Sequence, residues 1–114
     1  MDDLSRVFDA LGNDHRRAIV LLLALQPRSI SQLAELRGLS LPAIHKHVRV
    51  LENAAMVRRR KLGRTNFLAL EREPLIQLQT WTTQFQAWWG TGAESLENYT
   101  EYLQRDQTDS EEKT

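Results

Sequence analysis

Apolar residues recur at helical spacing at the start of the chain, at Leu4, Val7, Phe8 and Leu11. Intervals of three and four residues predict a short amphipathic helix, which Gly12 ends. Asn13 can cap a second helix, from about residue 14 to residue 25, which becomes apolar nearly all round after Arg17. Because a helix without a polar face belongs in the middle of a core, we expect this second helix to be central.

Two short helices separated by a tight turn come next. Ser31 can cap the first of them, and Gly38 stops it. Ser40 can cap the second, with Pro42 well placed in its first turn. Their apolar sides are predicted to carry Leu33, Ala34 and Leu36 in the first helix, and Ile44, His47, Val48 and Leu51 in the second. Two capped helices joined by a turn containing glycine predict a helix-turn-helix.

The hydrophobic period then changes from that of a helix to that of a strand. Residues 57–62 and 65–70 read as two strands, joined by a turn at Gly63 and Arg64. A basic hairpin directly after a helix-turn-helix is the wing of a winged helix. We therefore predict a mainly α fold with a small β-hairpin, of the winged helix-turn-helix class.

In the last third of the chain, the sequence predicts a long helix followed by a tail. Glu73 and Pro74 open a long helix, which Gly90 and Gly92 interrupt at a cost of about 1 kcal/mol per glycine relative to alanine. The apolar register resumes at Leu96, so one weakened helix and two separate segments both remain open. After about Arg105 the chain is polar and has no apolar period. We predict one domain over residues 1–104 and a disordered acidic tail over residues 105–114.

Four aromatic side chains fall within nine residues, at Trp81, Phe85, Trp88 and Trp89. A helix with this much apolar area at the end of a small domain has too little core of its own to cover it. Burial against a partner, most simply a second copy of the chain, is therefore favoured over an effector pocket.

The chain has no net charge, but the charge is unevenly distributed. Residues 13–72 contain twelve Lys and Arg against four Asp and Glu, a net charge of +8. Residues 73–114 carry a net charge of −6, and the first twelve residues carry −2. A basic middle with acidic flanks can present one positive face to a polyanion such as DNA.

The second helix of the predicted helix-turn-helix carries the strongest candidate chemistry. If its apolar stripe faces inward, the outward residues are Leu41, Pro42, His45, Lys46 and Arg49. Its first turn, at Ser40, would offer backbone N–H groups to a phosphate. Lys46 and Arg49 suit the O6 and N7 acceptors of guanine in the major groove, and His45 can donate to the same edge or to a phosphate. A helix face that is merely solvated is the alternative.

The hairpin adds five cations within seven residues: Arg58, Arg59, Arg60, Lys61 and Arg64. Strand alternation sends them to both faces of the hairpin, so not all can contact one DNA backbone. Lys61 and Arg64, nearest the tip, are the best candidates for a phosphate or minor-groove contact, and Arg60 is included with them. The alternative is an edge strand kept basic against aggregation.

The same residues argue against metal binding and catalysis. His45 and His47 lie two apart on a helix and point to different faces, and His15 has no ligand partner at a suitable spacing. The chain has no cysteine and no catalytic constellation, so we predict no metal, no cofactor and no enzyme activity. No apolar run is long enough to cross a bilayer, and the N-terminus is acidic where a signal peptide is basic. We therefore expect a cytoplasmic protein without membrane contact.

Five segments in order and spacing give the chain a family resemblance: FDALGNDHRRAI (8–19), SISQLA (29–34), LSLPAIHKHVRVL (39–51), AAMVR (54–58) and KLGR (61–64). Together they resemble the ArsR (arsenic-repressor type) family of winged-helix transcription regulators, from about residue 4 to residue 103. The resemblance implies a DNA-binding homodimer joined through its first and last helices, with residues 40–51 as the recognition helix. Members usually repress their own operon and are released from DNA by a ligand or a metal. On this basis we assign to the dimer interface Leu4, Phe8, Leu78, Trp81, Phe85, Trp88, Trp89 and Leu96.

The chain departs from the metal-sensing members of that family. SQLAEL (31–36) has no cysteine where those sensors keep a thiolate pair, and the terminal helix has no histidine for an interface zinc site. His45 also stands at a position that is commonly serine. The resemblance thus implies the metal-independent branch and leaves open an effector of unknown identity. We predict a dimeric (auto)repressor that binds an inverted-repeat operator. The alternative is a winged-helix module that holds another protein without specific DNA binding.

Overall fold

The computed structural model describes residues 2–85 and 92–112. The chain forms two compact units, Met1–Gln79 and Thr80–Thr114. The helices and strands, in chain order, are α1 (Asp3–Leu11), α2 (Asp14–Leu25), β1 (Arg28–Ser29), α3 (Ile30–Arg37), α4 (Leu41–Asn53), β2 (Val57–Leu62), β3 (Thr65–Leu70), α5 (Glu73–Thr83) and α6 (Gly92–Glu112).

Side-chain caps set where the helices of the first unit begin. Asn13 Oδ1 accepts the Arg16 N–H at 3.2 Å, and Ser40 Oγ accepts the Ala43 N–H at 3.3 Å, which confirms both predicted caps. The prediction of Ser31 as the cap of α3 is wrong, because Ser29 takes that place. The Gln32 N–H donates to Ser29 Oγ at 3.1 Å and Gln32 Oε1 accepts the Ser29 N–H at 2.9 Å, a reciprocal capping box. Ser29 has its glutamine three residues on, as that arrangement requires.

Buried apolar side chains from α1 to β3 form a single core in the first unit. The core contains Val7, Ala10, Ile19, Val20, Leu23, Ile30, Leu33, Ala34, Ile44, Val48, Leu51, Ala54, Met56, Val57 and Leu68. The predicted inner stripe of α4 is confirmed, with Ile44, Val48 and Leu51 fully buried and His47 half-buried.

The expectation that α2 is buried on all sides is wrong. Ile19, Val20 and Leu23 are buried, but Leu21 and Leu25 are 69% and 77% exposed. A helix buries only the stripe that faces its neighbours, and α2 packs on α1, α4 and β3. Leu36 is likewise 53% exposed, although it was placed on the apolar side of α3.

The wing has the predicted strands and turn. β2 and β3 pair antiparallel from Val57↔Leu70 to Leu62↔Thr65, and Gly63 has φ +64°, a value that favours glycine. The structure adds a third strand, β1, which pairs antiparallel with β3 and gives the order β1-β3-β2. Two residues are too few to show a strand period in the sequence.

The C-terminal region departs from its prediction at two points. α5 begins at Glu73 as predicted but ends at Thr83, and Phe85 lies in a turn instead of a continuing helix. α6 continues to Glu112, so the backbone is helical over residues expected to lack regular structure. Glutamate and glutamine favour helix without any apolar stripe, and Glu101 and Arg105 form an ion pair at 3.8 Å one turn apart. The division into residues 1–104 and 105–114 stays a prediction.

The chain reverses after α4 through a strained residue. Ala55 has φ +57°, a left-handed conformation that costs an L-residue about 1–2 kcal/mol. Its N–H donates to the Glu52 carbonyl at 2.9 Å, and the next N–H, of the buried Met56, donates to the Leu51 carbonyl at 3.0 Å. These bonds end α4 and direct the chain into β2.

Replacing Ala55 by glycine is therefore expected to stabilise the protein. The exposed methyl group makes no core contact, so Ala55→Gly should raise the free energy of unfolding by about 1 kcal/mol. The neighbouring Ala54 has φ −89° and is buried, so Ala54→Gly should lower that free energy. Urea denaturation of both variants measures the difference, and a loss of stability in both would contradict the strain at residue 55.

Candidate nucleic-acid interface

α4 presents a polar face opposite its buried stripe. Pro42, His45, Lys46 and Arg49 are exposed, and Leu41 is 48% exposed. The predicted division of this helix into an inner and an outer face is therefore confirmed. The outer face combines two permanent cations, an imidazole and an apolar side chain, a set that suits the base edges and methyl groups of a DNA major groove.

The first turn of α4 has fewer N–H groups to offer a phosphate than its position suggests. Pro42 has no N–H, and the Ala43 N–H already donates to Ser40 Oγ at 3.3 Å. The amides of Ser40 and Leu41 are the ones that remain. The first turn of this helix can therefore offer a phosphate fewer N–H groups than a helix start without such a cap.

Strand register divides the wing cations between two faces. Arg58 and Arg60 alternate with Val57, Arg59 and Lys61 along β2. Val57 is buried, and Arg59 donates to Glu52 Oε1 of α4 at 2.8 Å, so Lys61 lies on the sheet face that α4 packs against. Arg60 lies on the opposite face.

Ion pairs at the base of the wing separate the five cations into two groups. Arg58 Nε lies 3.0 Å from Glu71 Oε1, and Arg59 pairs with Glu52. Arg60, Lys61 and Arg64 are exposed, and within residues 2–85 and 92–112 no ion pair joins them to a carboxylate. The positive charge that remains available to a polyanion is concentrated at the tip, on the three residues that the sequence nominated.

A half-buried group of two histidines and two arginines lies behind α4. Arg16 Nη1 is 3.4 Å from His47 Nδ1, and Arg37 Nη2 is 2.9 Å from His15 Nδ1. The two imidazole rings are 5.6 Å apart. The partner of His15 is an arginine that lies 22 residues further along the chain, not a second metal-ligating side chain. Burial, together with the positive charge of Arg16, lowers the pKa of His47.

Two further sequence predictions concern a metal ion and a small-molecule effector. Within the described residues, no three His, Cys, Asp or Glu side chains are grouped so that they could hold a metal ion. A groove of about 540 Å³ runs between the end of α2 and the start of α5, and its lining includes Leu25, Pro27, Leu75, Ile76 and Arg72. Both the absence of a metal and the existence of an effector stay predictions.

No helix in the described part of the chain is long and apolar enough to span a membrane.

The predicted interface residues differ in how far they are exposed. In the first unit, Phe8 is 42% exposed, while Leu4 is half-buried and Leu78 packs against the core of its own chain. In the second unit, Phe85 and Leu96 are 66% and 70% exposed. Trp81 packs edge-on against Phe85, with ring centres 4.9 Å apart. Trp88 and Trp89 lie outside the described residues. Leu21 and Leu25 of α2 are also exposed, but the sequence analysis did not include them among the interface residues. The exposure of one side of an apolar helix is visible only in the fold.

The helix pair α3 and α4, the outward cations of α4 and the basic hairpin together define a winged helix-turn-helix DNA-binding domain. Residues 11–60 match a family model described as a helix-turn-helix domain. The chain is 36% identical over 75 residues to the HTH-type transcriptional regulator Rv2034 of Mycobacterium tuberculosis, covering 66% of this chain and 70% of that protein.

Solved structures show the same likeness. An ArsR family transcriptional regulator aligns with a TM-score of 0.69 and 33% identity, over 76% of this chain and 90% of that one. The homodimeric winged helix-turn-helix domain of a possible ArsR-family regulator from Mycobacterium bovis aligns with a TM-score of 0.62 and 23% identity, over 75% and 81% of the two chains. The chain belongs to the ArsR family of winged helix-turn-helix transcriptional regulators.

The ion pairs at the base of the wing predict that its cations contribute unequally to DNA binding. Lys61→Ala should make the slope of log affinity against log salt shallower by about 0.9 per protomer, the value for one lost phosphate contact. Arg58→Ala is the matched control, because Glu71 already compensates that charge and its removal should change the slope by less than half as much. Fluorescence anisotropy across a salt series measures both slopes. Equal changes in the two variants would contradict the assignment of the tip.

Proposed function

We propose that this protein represses transcription by binding an inverted-repeat operator as a homodimer, with α4 in the major groove and the wing tip on the adjacent backbone. The observation that carries the proposal is the outer face of α4, where Lys46 and Arg49 are exposed on a helix whose opposite side is locked into the core. A protein bound in this way within a promoter would exclude polymerase.

Each side chain of that face has a chemical role in the proposal. Arg49 and Lys46 donate to the O6 and N7 acceptors of guanine, and His45 donates to the same edge or to a phosphate. Leu41 supplies an apolar contact of the kind that recognises a thymine methyl group. Arg60, Lys61 and Arg64 neutralise phosphates, which adds affinity without sequence information.

A second copy of the chain supplies the symmetry that an inverted repeat requires. Two recognition helices related by a two-fold axis enter successive major grooves about 34–36 Å apart. Exposed apolar side chains in both units, including Phe8 and Phe85, support dimerisation, as does the homodimeric state of the similar domain from Mycobacterium bovis. Dimerisation through the N- and C-terminal helices, as the family resemblance implies, would cover these side chains.

The remaining parts of the proposal follow from the family. The protein carries out no catalysis and belongs to the metal-independent branch, so any inducer is an organic molecule instead of a metal ion. It acts in the cytoplasm, where the DNA of a prokaryotic cell lies. The uncompensated cations of the wing tip favour this function over a module that only holds another protein.

The recognition helix is tested by removing its two permanent cations. Lys46→Ala combined with Arg49→Ala should weaken operator binding roughly 100-fold or more, since each good base contact contributes about 1–3 kcal/mol. Arg6→Ala is the control, because Arg6 is an exposed cation of α1 that pairs with Asp3 at 3.7 Å and lies outside the proposed interface. Undiminished operator affinity in the double variant would remove these residues from the site.

The dimer is tested by placing a charge on its predicted surface. Phe8→Glu should convert the protein to a monomer in sedimentation velocity, because a carboxylate buried without a partner costs several kcal/mol. Leu36→Glu introduces the same charge at an exposed leucine of α3 and should leave the dimer intact. A monomeric wild-type protein, or a Phe8→Glu variant that stays dimeric, would contradict the assignment of Phe8 to the interface.

A further inference from the structure

Two contacts that involve histidines join the helices α2, α3 and α4 of the first unit. Arg16 of α2 reaches His47 of α4 at 3.4 Å, and Arg37 in the last turn of α3 reaches His15 in the first turn of α2 at 2.9 Å. All four side chains are half-buried. We call these four residues the His–Arg cluster.

A guanidinium group can only donate hydrogen bonds, so each arginine of the His–Arg cluster requires a neutral histidine as its partner. Each arginine approaches the Nδ1 atom of its histidine, so that nitrogen must act as the acceptor. An imidazole that accepts at Nδ1 is neutral and carries its proton on Nε2. Protonation of either ring would turn its acceptor into a second donor, facing a group that is already positive.

The His–Arg cluster has a surplus of donors over acceptors. Arg37 Nε is buried, and within the described residues it has no hydrogen-bond partner. Charged and titratable groups face His47 from every side: from α2 Arg16, His15 and Asp14, and from α4 itself Lys46. Asp14 favours the charged form of His47, but burial and the neighbouring positive groups oppose it more strongly. From α3, Arg37 adds a further cation on the other histidine.

The contact to His47 connects the recognition helix to α2. His47 stands between the exposed Lys46 and the buried Val48, on the side of α4 that faces α2. Arg16 is itself fixed, because its Nε donates to the Ala10 carbonyl at 2.6 Å and its Nη2 to the Asp9 carbonyl at 3.1 Å. A continuous set of hydrogen bonds therefore runs from the end of α1, through α2, to the helix that presents Lys46 and Arg49.

We propose that the His–Arg cluster positions the recognition helix, and that protonation of His47 at acid pH breaks its contact with Arg16 and weakens DNA binding. This inference rests on the proposed function, since it concerns how α4 is held for the DNA. Arg16, Arg37, His15 and His47 are positioning residues and do not touch the DNA themselves.

The direction of the pH effect follows from where the proton binds more tightly. Burial lowers the pKa of His47 below its ordinary value of 6.5, so the unfolded chain takes up this proton more readily than the folded one. The stability of the folded arrangement is then fully present above pH 6.5 and is lost as the pH falls through 6.5 towards the lowered value.

The test replaces both cluster histidines by glutamine, which keeps a hydrogen-bond acceptor but cannot be protonated. A duplex selected from a random pool by the wild-type protein at pH 7.5 serves as the probe, and its Kd is measured at pH 7.5 and at pH 5.5 at constant ionic strength. The wild-type protein should lose about tenfold in affinity on acidification. His15→Gln combined with His47→Gln should lose less than about twofold.

Three results would overturn the proposal, and a fourth would separate it from the proposed function. Equal wild-type affinity at the two pH values overturns it, as does a full acid loss in the double glutamine variant. If that variant does not fold, an NMR titration of the wild-type protein decides instead. The amide resonances of α4 should then move together with the titration of His47 below pH 6.5, and amides that do not follow it overturn the proposal. A wild-type protein that selects no duplex at pH 7.5 contradicts the proposed function, while the NMR titration still tests the His–Arg cluster.

Discussion

Burial of one side of α4 is the constraint on which the interface depends. Ile44, Val48 and Leu51 are completely buried, and each such side chain contributes about 1.5–3 kcal/mol relative to exposure. Rotation of the helix by even one position would expose part of this stripe and bury Lys46 or Arg49 without a partner. The hydrophobic core of the first unit therefore fixes which side chains face outward, and with them the chemistry available to DNA.

Electrostatics refines what the core determines. The chain has no net charge, yet the pairing of Arg58 with Glu71 and of Arg59 with Glu52 leaves the positive charge of the wing at its tip. A protein arranged in this way can be attracted to a polyanion locally without being basic as a whole. The same two glutamates also hold the base of the wing. Glu71, which directly follows β3, pairs with Arg58, and Glu52 of α4 pairs with Arg59.

Local signals in the sequence were sufficient for the elements of the candidate DNA interface. Asn13 and Ser40 act as caps because each needs only an N–H three residues away, and the hairpin follows from strand period and Gly63 alone. The inner stripe of α4 follows from helical spacing. The cap of α3 was missed although its signal is local, since Gln32 lies three residues after Ser29. Other failures depend on neighbours distant in the chain. Leu21 and Leu25 are exposed because nothing packs on that side of α2, and Arg37 meets His15 across 22 residues.

Pairing between distant residues also explains what could not be predicted within the candidate site. The sequence places Lys61 and Arg64 nearest the tip of the wing, but only the fold shows that Glu71 and Glu52 pair with the cations at its base. The His–Arg cluster is invisible in the same way, because its members come from three separate helices. Such residues are found by contact in the fold, whereas periodicity and capping reveal only what a single element does.

The central claim is that this chain reads DNA sequence through α4. The most direct measurement is anisotropy of the purified protein with the duplex upstream of its own gene and with an unrelated duplex, each across a salt series. We predict a preference of roughly 10³-fold or more for the upstream duplex, together with a steep negative salt dependence. Equal and weak binding to both duplexes would contradict that claim for the upstream operator. The basic surface would then act only as a nonspecific electrostatic patch.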